Sequence, residues 1–323
     1  MEFLNDALLG KPLWMWGAFL GIVAVLLAFD LGVLHRKTRE VGIHESLALS
    51  AGYIAIALAF GSWVWLELGA ESGREYLTGF IVEKTLAMDN VFIISLIFTY
   101  FAIPLRYQHR VLFWGILGVI VLRAIMIGLG AALVSSFGWV LYLFALFLIA
   151  TGIKMLWMGN AMPDISQNPL LKLFRRIMPI THELHGERFT VKLPDSKTGK
   201  QVRHATPLLV ALALIEFVDL IFAVDSVPAI FTITTDPYIV YTSNIFAILG
   251  LRALYFALAA VIHRFQYLKQ ALALVLVFIG SKIFIADLLG WEKFPASLSL
   301  GITLGLIAAG IAVSLYKTRK MTS

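Results

Sequence analysis

The chain has 323 residues, 60% of them hydrophobic and only 14% charged, and its mean hydropathy is +0.87. Those values exclude a soluble domain of this length and identify a polytopic membrane protein. With no cysteine, thiolate metal sites, disulfides and thiol redox relays are excluded. The net charge of +6 falls in short loops between apolar runs, as a topology signal rather than a nucleic-acid footprint.

The acidic N-terminal segment, Met1 to Asp6, leads into the first apolar run without a small-residue cleavage site, so that run is expected to stay in the protein. A helix needs about 20 residues to cross the hydrocarbon core. Runs of that length predict an all-α protein with about nine transmembrane helices, near 13–34, 46–66, 76–101, 109–133, 137–158, 206–231, 237–262, 269–289 and 296–316. Alternate loops carry the basic residues. One side holds Arg36, Lys37, Arg39, Arg106, Arg110, the basic residues of 159–205, Arg264, Lys269, Lys317, Arg319 and Lys320; the other holds only Lys11, Arg74 and Lys293. The positive-inside rule then puts the N-terminus outside and the C-terminus in the cytoplasm of a multi-pass protein of the cytoplasmic membrane.

The segment 159–205 is the one sizeable polar stretch. Leu170 to Ile177 reads as a short basic amphipathic helix at the inner leaflet. Phe189, Val191 and Leu193 alternate with polar residues ahead of a Pro194–Gly199 turn, which predicts a hairpin. His182, His185 and Glu187 have ligand-like spacing but read as solvated loop residues.

The chain repeats itself in order and spacing. Glu83, Asp89, Leu122-Arg123-Ala124 and Gly152-Ile-Lys154 recur as Asp219, Asp225, Leu251-Arg252-Ala253 and Gly280-Ser-Lys282. Each copy covers three spans, an odd number, so the second enters the membrane from the opposite side: a three-plus-three inverted repeat, with a site expected near the midplane. The organisation that follows is 1–75, two N-terminal helices; 76–158, the first repeat; 159–205, a cytoplasmic loop; 206–289, the second repeat; and 290–323, a last helix and tail.

Ionised carboxylates are expensive in hydrocarbon and are kept there to bind or relay something. Five stand in two signatures, Glu83-Lys-Thr-Leu-Ala-Met-Asp89-Asn90 and Glu216-Phe-Val-Asp219-Leu-Ile-Phe-Ala-Val-Asp225-Ser226. Residues six apart on a helix differ by about 240° around the axis, whereas residues seven apart share a face. Glu83 thus pairs with Asn90 and Asp219 with Ser226, and the second acid of each copy needs either a helix break or a separate station along a path. Pro228 favours a break beside Asp225. Carboxylates, an amide and a hydroxyl make a hard oxygen site, suited to manganese, magnesium or calcium. Asp30, Glu83, Asp89, Glu216, Asp219, Asp225 and Asp287 exceed Lys84, Arg123, Lys154, Arg252 and Lys282 by two charges, which a divalent cation would balance. Against this stands purely structural pairing, with Arg123 and Arg252 as partners for Asp89 and Asp225 and Lys84 for Glu83; such pairs are an expensive way to hold helices together. No phosphate loop, nucleophile elbow or zincin motif is present, so neither an enzyme nor a nucleotide-driven pump is expected.

The two signatures, the Thr235-Asp236-Pro237 loop, Ser243-Asn244-Ile-Phe-Ala-Ile-Leu-Gly-Leu-Arg252-Ala and Phe278-Ile-Gly-Ser-Lys282 together resemble the TerC family of bacterial integral membrane proteins, close to its Alx-type members, over about residues 10–316. The resemblance implies manganese export across the inner membrane within the wider lysine-exporter-like superfamily. It places the metal site on Glu83, Asp89, Asn90, Glu216, Asp219, Asp225 and Ser226. The expectation is a secondary transporter that moves Mn2+ through a midplane carboxylate site by proton antiport, with no resident cofactor and no nucleic-acid partner. The alternatives are a non-transporting scaffold of a stress-response complex of the tellurium-resistance type, docking through 159–205, and an intramembrane hydrolase.

Overall fold

Backbone amides in hydrocarbon must be satisfied within the segment that carries them, and a helix does this. The computed structural model describes residues 7–34, 43–158, 169–181, 183–194, 201–258 and 268–321 and is helical almost throughout. A two-stranded clip, β1 (Ala7–Leu8) and β2 (Lys11–Pro12), precedes α1 (Leu13–Leu34), α2 (Ile43–Leu68), α3 (Ala70–Tyr100), α4 (Leu105–Ser136) and α5 (Val140–Met158). After α6 (Pro169–Ile177), the strands β3 (Thr190–Pro194) and β4 (Gln201–Ala205) form the expected antiparallel hairpin. Then come α7 (Pro207–Ile233), α8 (Pro237–Leu249), α9 (Leu251–Leu258), α10 (Leu268–Leu288) and α11 (Ala296–Met321).

Among the described residues, eight segments are long and apolar enough to cross a membrane, α8 and α9 counting as one. The ninth expected span, α3, runs for 31 residues but is broken up in hydropathy by Glu83, Lys84 and Asp89. It packs against α2, α7, α8 and α11, so Glu83 is enclosed by other helices. The polarity of the bundle follows the same logic. Leu66, Val121, Leu129, Leu143 and Leu146 are exposed, while Glu83, Asn90, Arg123, Asp219, Ser226, Asn244 and Arg252 are buried.

Two helix crossings place the buried polar residues. Where α5 meets α10, a Cβ on Gly152 would lie 2.6 Å from the Ala273 carbonyl oxygen and 2.7 Å from Val277, and a Cβ on Gly280 would lie 2.5 Å from the Ala145 carbonyl and 2.8 Å from Ile149. Each glycine thus meets the residues seven and three positions before the other, a register that only antiparallel helices give. At the second crossing, Gly79 of α3 faces Ile230 of α7 and Asn90 faces Asp219. As the α3 number rises the α7 number falls by the same step, so these helices are antiparallel too, and Glu83 falls opposite Ser226.

The structure corrects one expectation directly. Helix α7 continues through Pro228, which is buried with Val227, Ala229, Ile230 and Phe231 in an apolar cluster. Packing on neighbouring helices holds the segment helical although the proline removes one amide donor. The chain breaks instead at Gly250, between α8 and α9. A helix end leaves its last carbonyls without amide partners. Lys84 Nζ donates to one of them, the Ala247 oxygen, at 3.0 Å, and a Cβ on Gly250 would come within 3.0 Å of that ammonium.

Candidate ion-binding site

Arg123 of α4 is the centre of the buried polar cluster and is 1% exposed. Its Nε donates to Asp219 Oδ2 at 3.2 Å and its Nη2 to Asp219 Oδ1 at 3.2 Å, a bidentate fork. Its Nη1 donates to Glu83 Oε1 at 2.7 Å and Ser226 Oγ at 2.5 Å, with Asn244 Oδ1 at 3.4 Å. Asn90 Nδ2 donates to Asp219 Oδ1 at 3.3 Å. Four helices, α3, α4, α7 and α8, therefore converge on one point, and the two acids come from the antiparallel pair α3 and α7. Seven-residue spacing accounts for the grouping: Glu83 with Asn90, and Asp219 with Ser226, lie on the facing stripes of their helices.

The cluster holds two carboxylates and one guanidinium, a net charge of −1 in an apolar surround. Asn90 Oδ1 is buried without a hydrogen-bond partner, as is Asn244 Nδ2. An orphaned oxygen beside two carboxylates has the chemistry of a hard-cation ligand.

The other residues expected at a metal site are distributed differently. Glu216, on α7, leans onto α4: a Cβ on Gly118 would collide with its carboxyl group, so that glycine makes its room. Its Oε2 is buried without a partner, and the residue borders a shallow, open, apolar groove with Leu122, Leu209, Leu212, Ala213, Phe217 and Leu220. Asp225 turns toward α5, where Thr151 Oγ1 donates to its Oδ1 at 3.3 Å. Asp89 is carried by α3, and its side chain lies outside the described residues. Among the described residues no group of three or more His, Asp or Glu side chains is arranged to hold a metal; the cluster's oxygens are two carboxylates, an amide and a hydroxyl.

The expected charge partners are rearranged. Arg123 pairs with Glu83 and Asp219. Arg252 reaches Asp30 of α1, contacting both its carboxylate and its backbone oxygen, because it starts α9 beyond the Gly250 break. Lys84 is adjacent to Glu83 in sequence and so points about 100° away from it, toward Ala247. Residue type and spacing mark Arg123 only as a counterion and do not bring Asn244 to the site. The signal for Asn244 is a polar Thr242-Ser243-Asn244 triplet inside a span long and apolar enough to cross a membrane. In the 159–205 segment, Glu187 pairs with Arg110 at 3.1 Å, His185 Nδ1 lies 3.0 Å from its neighbour Glu183's carbonyl, and His182 is outside the described residues.

Long apolar helices enclosing a charged cluster define a polytopic, all-α integral membrane protein. Residues 68–322 match the family described as "Integral membrane protein TerC family", and the chain belongs to it. It is 47% identical to an "Uncharacterized membrane protein" of Rickettsia bellii over 302 residues, 94% of this chain and 97% of that one. It is 46% identical to "Uncharacterized membrane protein STKORF319" of Myxococcus xanthus, covering 96% and 94%. It is 42% identical to the "Putative membrane-bound redox modulator Alx" of Escherichia coli K12, covering 95% of each. No solved structure matches the chain.

Proposed function

We propose that this protein is a secondary transporter that exports divalent manganese across the bacterial cytoplasmic membrane, N-terminus outside and C-terminus inside, exchanging the metal for protons. The observation that carries the proposal is the meeting of Glu83 and Asp219, one from each of two antiparallel helices, beside the unpartnered Asn90 oxygen. Oxygen ligands of this kind suit manganese, magnesium and calcium. The antiparallel, evenly stepped crossings of α3 with α7 and of α5 with α10 are what an inverted repeat requires, and such repeats bring half-sites together at the midplane. Asp225 and Glu216 lie off the cluster and serve as separate stations for the ion or for the proton that replaces it. Protonating a carboxylate weakens its hold on a cation, which couples the two fluxes without nucleotide.

The relatives named as redox modulators favour a second reading, a role in redox or stress homeostasis without transport. With no cysteine in these 323 residues, such a role would not run through the chain's own thiols. Purified protein in liposomes separates the readings. Transport predicts uptake of Mn2+ against Ca2+, Mg2+ and Fe2+ competitors, lost in Glu83→Gln and Asp219→Asn; absence of any metal flux from the purified protein favours the second reading.

A further inference from the structure

The Arg123 guanidinium sits where a cation bound by Glu83 and Asp219 would have to sit. It takes both oxygens of Asp219, one of Glu83, and the Ser226 and Asn244 oxygens, so five of the oxygens available to an ion are already donated to. Charge makes the conflict sharper. Two carboxylates with Arg123 total −1; adding a divalent ion with Arg123 in place gives +1, and adding it with Arg123 withdrawn gives 0. A net charge buried in low dielectric is costly, so occupancy by the ion and by the guanidinium oppose each other. Arginine stays protonated under all physiological conditions, so it is a counterion that neither dissociates from the chain nor titrates.

We infer that Arg123 is a tethered counterion that occupies the acid pair during the ion-free half of the transport cycle and is displaced when the metal binds. The inference rests on the transport reading above and specifies how the site returns without cargo. A carrier that exchanges metal for protons must return its site without metal, and two bare carboxylates crossing the membrane interior would stall that step. Arg123 neutralises one of the two charges, and a single proton on the acid pair neutralises the other. Once it is removed, the metal-free site keeps a net charge with that one proton bound and reorients readily only when metal fills it, so the protein is converted from a net exporter into an exchanger of manganese for manganese.

The test uses full-length protein in liposomes with radioactive manganese as probe. For Arg123→Gln, the expected result is net efflux reduced by about tenfold or more, with exchange of internal for external manganese retained and Mn2+ binding tighter by about tenfold, from loss of an opposing unit charge. Net efflux by Arg123→Gln at the wild-type rate overturns the inference while leaving the transport reading intact. Loss of binding and exchange in a folded Arg123→Gln protein overturns it as well, since that is the result for an arginine that only builds the site. Wild-type vesicles without either flux overturn the transport reading, and the inference with it. Should Arg123→Gln fail to fold, Arg123→Lys keeps a charge but lacks the bidentate fork. It is then expected to retain net efflux and bind Mn2+ several-fold more tightly, and unchanged or weaker binding overturns the inference.

Discussion

Gly152 and Gly280 stand in a reciprocal relationship: each approaches the backbone of the other's helix at the carbonyl seven residues before its partner, Ala273 in one case and Ala145 in the other. The contact has the self-complementary form of a two-fold interface, although it joins two parts of one chain. Small residues at such crossings let helices approach closely, which is how helices associate where lipid is as apolar as the side chains.

Replacing either glycine by leucine therefore forces new atoms into backbone, not into a flexible side chain. Gly152→Leu and Gly280→Leu are each expected to destabilise the protein by about 1–3 kcal/mol or more, the cost typical of overpacking, and by similar amounts because their surroundings match. Thermal unfolding in detergent checks this. Gly128 of α4 has nothing within 4 Å of its Cβ position, so Gly128→Leu should leave Tm unchanged.

Arg252 and Asp30 give a second, independent prediction. The pair joins α9 to α1, and Arg252 Nη1 is buried without a partner. Removing one member of a buried pair leaves an uncompensated charge and costs about 3–5 kcal/mol, whereas apolar replacement of both is often neutral. Asp30→Leu and Arg252→Met should each lower Tm in the same assay, and the double variant should recover most of the loss. A double variant no more stable than the singles would show that Arg252 has a task beyond pairing.

Much of this architecture was legible in the sequence, because hydropathy and helical geometry act locally. The nine apolar runs, the 159–205 hairpin and short helix, and the facing pairs Glu83 with Asn90 and Asp219 with Ser226 all follow from residue type and spacing. What spacing alone does not contain is which helix lies opposite. The choice of Asp30 over Asp225 as partner for Arg252 depends on the Gly250 break and on the placement of α1. The same holds for Lys84, whose partner is a main-chain oxygen freed by that break and invisible in side-chain patterns. At Pro228, a strong local signal for interruption lost to the packing of α7 in its apolar cluster.

Glu216 owes its position to Gly118, since any side chain there would strike its carboxyl group. Gly118→Ala is therefore expected to displace Glu216 and to slow manganese flux in liposomes if that carboxylate is a station on the path. Gly115 is the matched control: its Cβ position has 3.7 Å of clearance to the nearest atom, on Ile215. Equal flux from Gly115→Ala and Gly118→Ala would remove Glu216 from the path.

Stability and transport should separate among the acids themselves. Asp219 accepts two hydrogen bonds from Arg123 and one from Asn90, while Asp225 accepts one, at 3.3 Å, from the Thr151 hydroxyl. Charge-assisted bidentate bonds are the stronger kind. Asp219→Asn should thus cost several kcal/mol of stability, of the order found when buried pairs are broken, and Asp225→Asn about 1 kcal/mol or less. On the proposed transport role both, with Asp89→Asn, are nevertheless expected to abolish manganese efflux, because the ion would meet each carboxylate in turn. The decisive comparison is Asp225→Asn, where lost flux at nearly wild-type Tm identifies an acid kept for the ion; wild-type flux from that variant would confine the carboxylates that matter to the Arg123 cluster.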